Sequence, residues 1–257
     1  MKGKSSLGHI HRLTEQCLCG LGLLRPEDTR AESGLPKDAY RETIADLEAL
    51  YEELQRGVAR LAKKQGETFS WDEGEADALL AAFSRDMERV MLRGVDAALR
   101  AGLDAAAKEM GIGSIAFEKI DPGVIAVLEQ QEIVLSQATS AKISGDVKGQ
   151  LLEAQRLGET MSQAMERLQA ISSLSEYQAE RICRTELAKA ANAARLEGYK
   201  SRVEKVEWVL GPAYNGNCAC PDYVGVYTLE DARGQPMSTV HPNCDCYWIP
   251  VAEGYED

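Results

Sequence analysis

From residue 36 to about residue 200 the apolar residues of this chain return every three or four positions, and beyond Arg202 that rhythm stops. A three-and-four spacing builds one buried face on a helix, whereas short runs of valine and aromatics suit strands. The chain therefore reads as mainly α: a long-helix body followed by a small C-terminal α+β module with short strands. Ile44, Leu47, Leu50, Tyr51, Leu54, Val58 and Leu61 mark a first helix, opened by Pro36 and closing near residues 64–66. Leu79, Leu80, Phe83, Met87, Val90, Met91, Val95, Leu99 and Leu103 mark a second, ending near Met110 and Gly111.

Residues 112–120 form a connector. Asp121-Pro122 combines a capping acceptor with a proline whose missing N–H costs nothing at a helix start, so a third helix begins there. The polar stretch 136–149 carries Gly145 and Gly149 and is expected to break or kink it. Helix resumes over 151–157 with Gly158 as its cap, a short amphipathic piece covers 161–170, and a further helix covers 181–200. Ser70-Trp71-Asp72-Glu73 and Ser175-Glu176-Tyr177-Gln178 read as capping boxes. Strands are expected at 206–210, 224–229 and 247–251. Residues 1–35 have little periodicity and read as an N-terminal arm, with one short helix around 12–19.

Charge narrows the function. Lys plus Arg is 29 against 41 Asp plus Glu, a net charge of −12, which disfavours a protein built to grip nucleic-acid phosphates. No apolar run is long enough to span a bilayer, and the N-terminus lacks the basic and apolar regions of a signal peptide. Assembly in a cytoplasm is expected. Thiols stay reduced there, so paired cysteines point to metal more than to disulfides, and seven cysteines cannot all pair.

The chemistry is concentrated at the C-terminal end. Cys218 and Cys220 lie in N-G-N-C-A-C-P-D-Y, and His241, Cys244 and Cys246 in H-P-N-C-D-C-Y-W. Zinc takes about four N or S ligands from two facing turns, and a small β excursion between ligand pairs supplies that arrangement. A module this small buries little apolar area and gains from such a staple. The five side chains offer four ligands and one spare. Metal binding, buried free thiols and a disulfide formed after release from the cell all stay open on the sequence. A second set, His9, His11, Cys17 and Cys19, lies in the arm and reads first as part of a disordered segment.

These clusters follow a helix reading R-T-E-L-A-K-A-A-N-A-A-R-L-E-G-Y. Arg184-Thr185-Glu186, Ala190, Asn192 and Tyr199, then Trp208 in a strand, then H-P-N-C-D-C leading into Ile249-Pro250-Val251, together resemble the phage Mu F-like (MuF) minor head protein family. The resemblance covers residues 120–251. It divides the chain into an arm (1–35), a helical region of unrecognised type (36–120) and a MuF-like domain (121–257), the last with helices over 121–202 and a β module over 203–251. Three positions depart from the family pattern: C-x-C replaces C-x₂-C at Cys218 and Cys220, Asp245 stands where arginine is usual, and Val224 replaces an acidic residue before Gly225.

The resemblance implies a structural role. Family members are minor components of tailed-phage heads, bind portal or inner-shell proteins, and accompany DNA packaging or ejection. A virion location follows, in the head interior or at the portal vertex. The partners implied are the portal and major capsid proteins, with self-association, no membrane and only indirect DNA contact. Some members carry toxin or enzyme domains after this module; this sequence stops a few residues past Val251, which favours the plain virion protein.

Single residues carry plainer readings. Arg184 and Glu186 are two apart on one helix and do not face each other, so buried ion pairs or hydrogen bonds outweigh catalysis. Asn192 and Tyr199 are expected to anchor helix to module. Cys183 reads as buried and inert, and Phe83, Met87 and Met91 as core. A His-Asn-His nuclease lacks a nearby second histidine, and a dithiol oxidoreductase lacks basic residues beside Cys218 or Cys220. A helical adaptor with a zinc-binding module is the main alternative, and no enzyme activity is expected.

Overall fold

The computed structural model describes residues 36–61, 63–65, 68–171, 176–211, 218–234 and 241–251. Both the arm, with its His9, His11, Cys17 and Cys19, and the expected cap Ser175 lie outside them. Helices α1 (Lys37–Leu61), α2 (Glu73–Glu109), α3 (Pro122–Arg156), α4 (Met161–Gln169), α5 (Glu176–Tyr199) and the short α6 (Leu229–Gly234) dominate. A hairpin of β1 (Lys63–Gln65) and β2 (Thr68–Ser70) links α1 to α2. The C-terminal strands β3 (Lys205–Val209), β4 (Gly225–Thr228) and β5 (Tyr247–Pro250) form an antiparallel sheet ordered β4-β3-β5. This is the mainly helical chain with a small stranded C-terminal module that the periodicity implies.

The described residues form two compact units that interleave along the sequence. One draws on described residues within 36–41, 94–128 and 181–251, and the other on those within 42–93 and 129–180. The cuts fall inside α1, α2, α3 and α5.

In the second unit Leu47, Tyr51, Leu54 and Val58 of α1 are buried, as are Leu80, Phe83, Met87 and Met91 of α2. Tyr51 meets Phe83 edge to face, ring centres 5.4 Å apart. Ser84 and Ser140 share a hydrogen bond of 2.9 Å. Here α3 departs from expectation: it runs unbroken through the polar stretch. Ser136, Ser140, Ile143, Val147, Leu151 and Ala154 form one buried line at helical spacing, and the Ser140 hydroxyl donates to the Ser136 carbonyl at 2.8 Å. A hydroxyl satisfied by its own helix can be buried without breaking it. Gly145 and Gly149 are tolerated as ordinary helix positions, since a Cβ on either would meet nothing within 4 Å.

Caps fall partly where expected. Gly158, at φ 65°, ends α3, with Glu159 N–H bonding the Ala154 carbonyl and Gly158 N–H the Gln155 carbonyl. That is a Schellman closure. Asp121 Oδ1 accepts from Gly123 N–H at 2.8 Å and starts α3. Ser70 is instead the last residue of β2, and Asp72 caps α2 by accepting from Glu75 N–H at 2.8 Å. A full capping box sits at Thr160 and Gln163, before α4.

In the first unit α2 and α5 touch through small residues. A Cβ on Gly102 would overlap the Ala191 carbonyl oxygen and lie 2.8 Å from Ala194 Cβ. The sheet lies over the end of α5. Trp208 of β3 pairs with Trp248 of β5, ring centres 4.8 Å apart, and Tyr227 of β4 meets Trp248 edge to face. Ala106, Leu196, Tyr199, Val206, Trp208 and Trp248 form one core with Cys220, Cys244 and Cys246.

Candidate metal centre

Two turns deliver the donors. His241-Pro242-Asn243-Cys244 closes with Cys244 N–H on the His241 carbonyl at 3.2 Å, and Asn243 has φ 64°. Proline at the second place and a left-handed asparagine at the third are what a type II turn requires. The turn folds His241 back toward Cys244. Cys246, two residues further, directly precedes β5. On the other side Ala219 is in the αR region and Cys220 opens a 3₁₀ turn over Cys220–Tyr223, with Pro221 in its first positions.

The five side chains of the two clusters come together, as their spacing suggests. The donor atoms of Cys218, Cys220 and His241 lie within 4.8 Å of one another, and so do those of Cys220, Cys244 and Cys246. Cys220 belongs to both sets. Cys220 Sγ is 3.7 Å from Cys244 Sγ and 3.1 Å from His241 Nε2. Sulfurs on a tetrahedral zinc are separated by about 3.8 Å, given bonds of about 2.3 Å. The Cys220–Cys244 separation already matches that edge, while the Cys220–His241 separation is that of a hydrogen bond.

The surroundings prepare these atoms for a cation. His241 Nδ1 lies 2.7 Å from the Pro242 carbonyl, so Nδ1–H donates there and Nε2 faces the thiols. Metal-ligating histidines are commonly oriented by such a bond from the other ring nitrogen. Cys246 Sγ accepts the Gly211 N–H at 3.4 Å. A Cβ at Gly211 would run into Asp245, so a side chain has no room there. Cys220, Cys244 and Cys246 are buried at 1%, 2% and 2% exposure.

The four groups perturb one another strongly. Hydrogen bonds from Cys220 and Cys246 push the Cys244 thiol well down, against its burial, and His241 adds to the effect. Cys220 is pushed far up by sharing its proton with Cys244 and Cys246 and by burial. For Cys246 the bond with Cys220 acts downward, but Cys244 and burial prevail and raise it. Burial alone would lower His241, yet the bond and charge of Cys244 raise it to about 9. A soft divalent ion would take the place of protons on these groups, and thiolates with imidazole are donors suited to such ions. Cys220, Cys244, Cys246 and His241 can hold a metal ion.

The helix residues bind the same module. Thr185 Oγ1 accepts the Asn243 N–H at 3.1 Å and donates to the Arg181 carbonyl. Asn192 Nδ2 donates to the Cys246 carbonyl at 3.0 Å, and Tyr199 OH reaches the Trp248 carbonyl at 3.3 Å. Asn192 and Tyr199 thus anchor helix to module as expected. Glu186 is buried and paired with Lys189 at 2.7 Å, and Arg184 lies over the Tyr40 ring at 5.1 Å. Cys183 is buried. Two partners escape sequence reading: Glu109, which accepts from Tyr199 and lies 3.6 Å from Arg195, and Gly211. Their contacts join segments far apart in sequence, so no local signal marks them.

Among the described residues no helix is long and apolar enough to cross a membrane. Comparison with known proteins finds no matching family model, no matching curated protein and no matching solved structure.

Proposed function

We propose that this chain is a structural minor head protein of a tailed bacteriophage or related particle, with zinc held by Cys220, His241, Cys244 and Cys246. The observation that carries the reading is the use made of the resembling residues. Thr185 and Asn192 each bond backbone of the module, at Asn243 and Cys246, and Tyr199, whose hydroxyl donates to Glu109, lies 3.3 Å from the Trp248 carbonyl. Residues engaged in this way build a fold and leave no reacting group exposed, which suits a structural protein.

Zinc is favoured over other ions by the donor set. Three thiolates and one imidazole match structural zinc, and burial of all four closes the site to a water ligand. Cys246 is preferred to Cys218 as the fourth ligand because it is buried and its sulfur receives the Gly211 N–H. The two turns it joins come from opposite ends of the β4 and α6 segment.

The helical body supplies the contact surface for portal or capsid proteins in this reading, in the head interior or at the portal vertex. The test is co-expression with the portal and major capsid proteins of the same particle, followed by affinity purification. Co-purification in stoichiometric amount is expected. Absence of association with portal and with major capsid protein under assembly conditions would sink the assembly role.

A further inference from the structure

We infer that Cys218 is a modification site: a spare thiol beside the metal ligands that hydrogen peroxide joins to Cys220 as a disulfide, expelling the metal. This rests on the metal reading above, in which four donors of the five are used. Cys218 is the one left over, and it is half-buried where the three other thiols of the cluster are buried. Its sulfur lies within 4.8 Å of both Cys220 Sγ and the His241 ring nitrogen.

The Cα spacing permits that pair, and the two sulfurs approach although side chains two apart on a helical turn do not face each other. Ala219, between the two cysteines, has φ −78° and ψ 0°. Helical geometry brings residues two apart to a Cα separation of about 5.4 Å, inside the 4.4–6.8 Å that disulfides span. An extended residue there would hold them near about 6.7 Å, at the far limit. The tight C-x-C spacing, unusual for a zinc knuckle, thus suits a switchable pair.

The step balances. The Cys218 sulfur attacks one peroxide oxygen, the O–O bond breaks, and a sulfenic acid and one water form. Cys220 leaves the metal and attacks the Cys218 sulfur; the S–S bond forms and the hydroxyl departs as a second water after taking a proton. Two sulfurs give up two electrons and the peroxide accepts them. His241, Cys244 and Cys246 alone would then remain to hold an ion. Cys220 is the residue common to both donor sets, so its loss opens the site at its centre. A dithiol reductant reverses the exchange.

The test uses the full chain purified anaerobically with zinc, and Cys218→Ser beside it. Both are expected to hold zinc when reduced. With peroxide the wild type should lose about 2 Da within the peptide carrying residues 218 and 220, and release zinc about tenfold faster than Cys218→Ser. Dithiothreitol should restore binding. Equal release from both proteins, or a disulfide that omits Cys218, overturns the inference while leaving the metal reading intact. Reduced wild type without zinc overturns both.

Discussion

Asn192 and Cys246 stand 54 residues apart and are joined by a 3.0 Å hydrogen bond, from the Asn192 side-chain amide to the Cys246 carbonyl. Asn192 is fully buried and Cys246 nearly so. The bond fixes the backbone immediately before β5, at a residue whose sulfur faces the other thiols. One asparagine on α5 therefore sets both the start of a strand and the position of a donor.

Replacing Asn192 with alanine leaves the Cys246 carbonyl buried and without this donor. An unsatisfied buried group costs about 1–3 kcal/mol. Asn192→Ala should lower unfolding free energy by that amount, read by urea denaturation followed through tryptophan fluorescence. A change under about 0.5 kcal/mol would show that the bond contributes little.

The glycines separate two kinds of helix position. Gly145 and Gly149 face open space, so alanine there should stabilise by roughly 0.5–1 kcal/mol each through helix propensity. Gly102 packs on the Ala191 backbone, and alanine should destabilise by about 1–3 kcal/mol or more as α2 and α5 are forced apart. Thermal unfolding of the three single variants compares them directly. Stabilisation by Gly102→Ala would contradict the packing described.

Tyr51 gives a pH-dependent prediction. Burial pushes its phenol up to about 12, and among the described residues its buried hydroxyl has no hydrogen-bond partner. A raised folded value favours the protonated form. Its contribution is complete below the unfolded value near about 10 and is lost as pH rises through about 12. Two pH units correspond to about 3 kcal/mol. Tyr51→Phe should be neutral or slightly stabilising at pH 7 and should blunt the alkaline loss. Stability curves of both proteins from pH 8 to pH 12 decide it. Identical curves would mean that Tyr51 is not the alkaline-sensitive group.

Much of this was legible in the residues because it is local. The α1 and α2 stripes, the Asp121 and Gly158 caps and the three C-terminal strands each follow from neighbours within a turn or two. The unbroken α3 was not, because serine and glycine speak locally for a break, and the partner that covers Ser140, Ser84, lies 56 residues away. The hairpin before Trp71 was hidden by polar residues that carry no alternation. Thr160-Met161-Ser162-Gln163 did carry a capping-box signal. At the candidate centre the five donors were readable from residue type. Their division into four and one was not, since Gly211 and the Ala219 backbone decide it from outside the motif.

Metal removal offers the last prediction. Trp208 and Trp248 belong to the core that contains Cys220, Cys244 and Cys246, whereas Trp71 donates to Gln155 at 3.2 Å in the other compact unit. In a Trp71→Phe background the emission therefore reports on the module alone. A strong chelator should shift that emission and lower the unfolding transition of the module, because metal affinity is part of its folding free energy. Zinc added back should restore both and release protons, since His241 and the thiols hold them when the ion is gone. Cys244→Ser should abolish the chelator response. Emission and melting unchanged by chelation, with proton release absent on zinc addition, would mean that the buried thiols pack as small apolar groups and bind no ion.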